Sequence, residues 1–178
     1  NSYLGPEMKS TGEVLGLGRT LNEALFKGLC AAGIKLKAPT KSHAVGVLIS
    51  VEDHDYYEIV NLAKKLDDMG FRIYATSGTA EVISQLGIDV TVVAGLKAGD
   101  NVYELMENGK ISYIVYTGAV LDSTMDDFIA LNRRALQLSI ACLTSLDTAG
   151  AVADIIAKCR RVENLGLIII DYLQLMQS

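Results

Sequence analysis

Proline is almost missing from this chain: it occurs only as Pro6 and Pro39, and not at all from Thr40 onward. A sequence so free of helix and ladder breakers suits an uninterrupted layered core. Cysteine is scarce as well. Cys30, Cys142 and Cys159 are an odd number with no CxxC spacing, which argues against a disulfide scaffold or a zinc site and for idle or buried thiols in reducing surroundings. There is no Lys/Arg cluster, and the net charge is −5; both argue against nucleic acid as a partner. Arg133-Arg134 and Lys158 with Arg160-Arg161 are short basic spots of the kind that solvated helix faces carry. No apolar run approaches the ~18 residues a membrane span needs. Nor is there a charged stretch followed by an apolar one and a small-residue cleavage site. A cytoplasmic setting without membrane contact is the expectation. What remains is a chain of 178 residues, 50% of them apolar, enough for one domain with a full core plus appendages.

The first twenty residues, NSYLGPEMKSTGEVLGLGRT, are polar, glycine-rich and without apolar period. They are expected to be loop, poorly ordered or packed against something beyond this chain. Thr20 with Glu23 forms a capping box for a helix to Ala32 with Leu21, Leu25 and Leu29 on one stripe. A polar linker, IKLKAPTKSH, follows to His43. From Ala44 the pattern alternates between strand and helix. Strands are expected at Val45–Ile49, Phe71–Ala75, Val90–Val93, Ser112–Tyr116 and Ile140–Leu143. Helices are expected at Asp55–Met69, Thr79–Leu86, Val102–Asn108, Asp126–Leu138 and Leu146–Arg161. Short unbroken apolar strands between helices of this length predict a three-layer α/β/α sandwich around a mostly parallel five-stranded sheet. Residues 1–40 then form an N-terminal appendage, 41–161 the domain, and 162–178 a terminal strand or tail.

Ligands of such sheets bind beyond the carboxyl ends of the strands. Four loops meet there: 50–55, 76–79, 94–101 and 117–127. Thr76-Ser77-Gly78-Thr79 offers the most specific chemistry. Helix-start N–H groups, a glycine that admits close backbone approach and three hydroxyls make a neutral anion cradle. The same turn also reads as a simple N-cap.

The stretch LGPEMKSTGEVLGLGRTLNEALFKGL resembles the junction at which the second ATP-grasp half of the carbamoyl phosphate synthetase large chain ends. Beyond it, ATSGTA, ENGKISYIVY, NRRAL and CLTSLDTA resemble segments of that family's C-terminal allosteric domain, and the likeness covers residues 1 to 158. It implies a methylglyoxal-synthase-like fold and a chain that is the tail of a larger ligase. It further implies a pocket for nucleotide monophosphates, UMP as inhibitor and IMP in some members. The implied partners are the rest of the large chain and the glutaminase small subunit, with ATP and Mg used by the parent and no cofactor here. Carried over by position, Ser50, Thr76 and Thr79, with Ser77 and Gly78 between them, stand as phosphate-side contacts. Thr144 falls on an ornithine contact and Asp127 on an acidic pocket residue. Thr117 opens the loop after the fourth strand, and Lys97 is a replacement cation.

The departures from the family bear on its effector. Tyr56 and Gly95 stand where the family has lysines, Tyr116 where it has an asparagine, and Gly118 where it has a hydroxyl. Each charge-assisted bond lost from a dianion site removes roughly 1.5–3 kcal/mol, so a weakened UMP response is expected, as in an isozyme serving arginine rather than pyrimidine synthesis. A lyase of the methylglyoxal synthase type, acting on dihydroxyacetone phosphate, is the competing expectation. Asp100 after Gly99, or Asp53-His54-Asp55, would supply its base; the alternative role of these aspartates is to cap helices. A pure docking module, with homo-oligomers as its assemblies, is a third expectation. Near the C-terminus, LGLIIIDYLQLM resembles the Walker B strand of replicative helicases, but no GxxxxGK[ST] accompanies Asp171. A final strand or helix, or an accident of sequence, is the expectation there.

Overall fold

The computed structural model describes residues 24–25, 27–29, 31–118, 122–162 and 168–170. The segment 1–20, the capping box at Thr20–Glu23, Cys30 and Asp171 lie outside them. Five strands form one parallel sheet: β2 (Gly46–Ser50), β3 (Arg72–Thr76), β4 (Val90–Val93), β5 (Tyr113–Tyr116) and β6 (Ala141–Leu143), in the order β4-β3-β2-β5-β6. Between and after them run α1 (Tyr56–Asp68), α2 (Ser77–Ser84), α3 (Asn101–Glu107), α4 (Asp122–Gln137) and α5 (Leu146–Val162). This is the expected three-layer arrangement, with the sheet parallel throughout.

Side chains alternate across the sheet with the period of two that a pleated strand imposes. Val47 and Ile49 of β2, Ile73 and Ala75 of β3, and Tyr113 and Val115 of β5 face α1, α2 and α5. Leu48, Tyr74 and Ile114 face α3 and α4. Each helix contributes one apolar stripe; Ile59, Leu62, Ala63 and Leu66 of α1 are spaced to share one face and are buried together. Across the outer layer Lys65 pairs with Asp154 at 2.7 Å, and Arg160 donates to the Met69 carbonyl, tying α1 to α5.

One expectation fails. The linker assigned to residues 34–43 instead contains a strand, β1 (Leu36–Ala38), paired antiparallel with β7 (Ile168–Ile170). Its physical basis is the alternation of buried Ile34, Leu36 and Ala38 with Lys35 and Lys37, a half-buried strand pattern. The Tyr113 hydroxyl fastens it to the main core, accepting the Lys37 N–H at 2.5 Å and donating to the Lys37 carbonyl at 2.7 Å. Helix α2 begins two residues earlier than expected and has ended by Leu86, whose N–H turns back to Ile83 ahead of left-handed Gly87. Among the described residues no helix is long and apolar enough to cross a membrane.

Candidate effector cleft

The chain runs outward from β2 through β3 to β4, then returns to the far side of β2 to lay down β5 and β6. The reversal between β2 and β5 is where open parallel sheets splay their loops apart and leave a crevice. Here one threonine laces that crevice. Thr117 Oγ1 accepts the Glu52 N–H at 3.2 Å and donates to Asp55 Oδ2 at 2.6 Å, while the Thr117 N–H donates to the Ser50 carbonyl at 3.0 Å.

Beside the lacing opens a cleft of about 460 Å³, whose lining includes Ser50, Lys97, Asp100, Tyr116, Asp127 and Phe128. Its aromatic wall is a stacked pair, Tyr116 on Phe128, with ring centroids 4.4 Å apart and planes inclined by 14°. Gly118 makes room for it: a Cβ at that position would lie 2.5 Å from both Cζ and Oη of Tyr116. The opposite rim is the loop after β4. Asp100 Oδ2 accepts the Lys97 N–H at 2.8 Å and lies 2.8 Å from where a Cβ on residue 95 would stand, so Gly95 is what lets this loop close. Among the described lining residues one lysine faces two aspartates. Beneath them, the Tyr103 hydroxyl is buried with no hydrogen-bond partner among the described residues. Burial first, then the charges of Asp127 and Asp100, push that phenol above its ordinary range.

At the neighbouring cradle, Thr76 holds the N-cap position of α2, but its hydroxyl donates to Ser50 Oγ at 2.9 Å and makes no cap bond to the helix. Ser77 and Gly78 are exposed in the first turn. Thr79 is 1% exposed, and its hydroxyl is engaged by the backbone of Val51, accepting the N–H at 3.1 Å and donating to the carbonyl at 3.4 Å. Of the residues expected at the site, Ser50, Lys97 and Asp127 line the cleft, and Thr76 joins them through Ser50. Ser77, Gly78, Thr79 and Thr117 lie near but do not line it. Thr144 is exposed just past β6, also outside its lining.

The capping roles expected of the aspartates are corrected. Asp100 and Asp55 do sit at the N-cap positions of α3 and α1, yet neither makes a side-chain cap bond. Their carboxylates are drawn to better-placed donors, the Lys97 N–H and the Thr117 hydroxyl. Among the described residues no group of three or more His, Cys, Asp or Glu is placed to hold a metal. Sequence reasoning missed Phe128, for which the signal was faint: an aromatic on the cleft side of α4, opposite a tyrosine followed closely by glycine.

A family model places these features. Residues 58–144, from the first turn of α1 to the residue after β6, match the MGS-like domain. The fold and this match define an MGS-like domain, with β2 and α5 completing its core outside the matched span. Over 94% of its length the chain is 39% identical to the carbamoyl phosphate synthase large chain of Clostridium botulinum strain Langeland. It is 38% identical to that of strain Kyoto over the same share, and 37% identical over 92% to that of strain Loch Maree. It spans 15% of the length of each. The chain belongs with them: it carries the MGS-like domain of the carbamoyl phosphate synthase large-chain family.

Proposed function

We propose that this domain is the regulatory module of a carbamoyl phosphate synthetase and seats an anionic effector, a nucleotide monophosphate or phosphate, at the carboxyl edge of its sheet. The observation that carries the reading is the cleft of about 460 Å³ lined by Ser50, Lys97 and Asp127, with Thr76 hydrogen-bonded to Ser50 at the start of α2. Helix-start N–H groups and hydroxyls solvate an anion without charge, and Lys97 adds one cation. Tyr56 and Gly95 add none, so UMP control is weak and the parent enzyme serves arginine synthesis. Ornithine, approaching near Thr144 from the side of the parent chain, is the second ligand of this reading. The remainder of the large chain and the glutaminase small subunit are the partners through which an effector would act, with a coupling of about 1–3 kcal/mol.

A thermal-shift and calorimetric panel of UMP, IMP, ornithine and inorganic phosphate tests this. At least one is expected to raise the melting temperature in proportion to RT ln(1 + [L]/Kd), with UMP the weaker nucleotide. Low-micromolar UMP affinity would refute the weakened response, and a flat panel the effector role. The lyase reading is less favoured: of its three candidate bases, Asp100 and Asp55 each have one carboxylate oxygen turned to a neighbouring donor, the Lys97 N–H and the Thr117 hydroxyl. Dihydroxyacetone phosphate should yield no methylglyoxal in a colorimetric assay.

A further inference from the structure

We propose that Tyr56 is a selectivity residue whose phenol occupies the ground above the first turn of α2 and so reduces what a phosphate group adds to effector binding. The inference rests on the effector reading and deepens it. The turn Asp53–Asp55 and the start of α1 carry the Tyr56 side chain from the end of β2 across to the start of α2. There it rests on Gly78: a Cβ built on that glycine would meet Tyr56 Oη at 2.5 Å. No phosphate oxygen fits between the phenol and that backbone. Asp53 and Thr79 are its polar neighbours. The Thr79 hydroxyl gives its proton to the Val51 carbonyl and accepts the Val51 N–H, which fixes the turn on which the phenol rests.

Charge works in the same direction. Asp53 and Glu81 are the ionisable groups that bear on the phenol, and both are acidic. An anion approaching the N–H groups of Ser77 and Gly78 must therefore displace the ring and meet two carboxylates. A ligand without phosphate, resting in the cleft between Ser50 and the Tyr116–Phe128 wall, meets neither obstacle, because Tyr56 does not line that cleft. The phenol is neutral at ordinary pH: desolvation first, then the hydrogen bond and charge of Asp53, hold it protonated above its usual range, against a smaller opposing effect of Thr79.

The test is calorimetric titration of the full chain and of Tyr56→Phe and Tyr56→Ala with UMP, uridine and inorganic phosphate. In the unaltered chain UMP should bind no more than a few-fold tighter than uridine, the phosphate adding little. In Tyr56→Ala the affinity for UMP should rise about tenfold relative to uridine, the gain expected of one recovered charge-assisted contact. Tyr56→Phe, which keeps the ring and removes only the oxygen above Gly78, should show a smaller rise and guards against a folding defect in the alanine variant. If the unaltered chain already prefers UMP tenfold, or if neither variant changes the UMP-to-uridine ratio while both ligands bind, the inference falls and the effector reading stands. If no probe binds any variant, both fall.

Discussion

Thr79 carries more than its size suggests. A hydroxyl from the first turn of α2 supplies both the acceptor and the donor that the Val51 backbone needs where β2 ends in the core. Thr79→Val keeps the shape and leaves the Val51 N–H buried without a partner. Such an orphan costs about 1–3 kcal/mol, which urea unfolding will register as a lower midpoint at unchanged slope; no change would mean that water reaches Val51. Gly118 is the converse case, a residue whose value is what it lacks. Gly118→Ala drives a methyl into the Tyr116 ring and should unstack it from Phe128, with a loss of about 1 kcal/mol. The near-ultraviolet dichroism of the aromatic wall will report this, and an unchanged spectrum would show that the loop yields instead of the ring.

At the scale of elements, the joint between β2 and the loop before β5 holds the closest approach at any described glycine. A Cβ at Gly46 would lie 2.0 Å from the Lys110 carbonyl oxygen and 2.9 Å from Tyr74 Cε1. Backbone cannot retreat as a flexible side chain can, so Gly46→Ala should destabilise by about 3 kcal/mol, seen as a depressed thermal midpoint; a shift of under a degree would mean that β2 can slide. The succession of strands and helices from residue 44 onward was legible because short unbroken apolar runs mark buried parallel strands and a period of 3.6 marks the helices between them. Strand β1 was obscured because Lys35, Lys37 and Pro39 break up the short run in which Ile34, Leu36 and Ala38 are buried. The cleft was legible as a neighbourhood, through the ends of β2 and β3, but not as a geometry. Whether a hydroxyl faces ligand, backbone or another hydroxyl depends on angles that residue spacing does not encode, and so Thr79 and Thr117 proved to be structural ties. Asp100 and Asp55 followed their positions but not their bonds, since a nearby N–H or hydroxyl competes with the helix terminus.

For the molecule as a whole, the core favours the neutral forms of two weak acids, the buried Tyr113 and the partly buried Cys142, and this predicts how stability depends on pH. Burial pushes the Cys142 thiol up to about 12 and drives the Tyr113 phenol upward as well, the latter against a smaller lowering by its bond to Lys37. In the unfolded chain both groups ionise at their ordinary values, near 9 for the thiol and 10 for the phenol. Between those values and their native ones the unfolded state binds fewer protons than the folded one, so stability falls as pH rises. Their contribution is complete below pH 9, begins to fade above it through Cys142, and steepens above 10 as Tyr113 joins. Each fully engaged group adds a slope of about 1.4 kcal/mol per pH unit. Urea midpoints measured from pH 7 to 11 should therefore run level on this account to 9 and then descend. Cys142→Ala should flatten the first part of that descent, and Tyr113→Phe the part above 10, even though Tyr113→Phe also lowers the whole curve by severing β1 from the sheet at Lys37. A double variant with the original alkaline slope would place the titrating groups elsewhere, and the sealed core would then have no part in the alkaline limit.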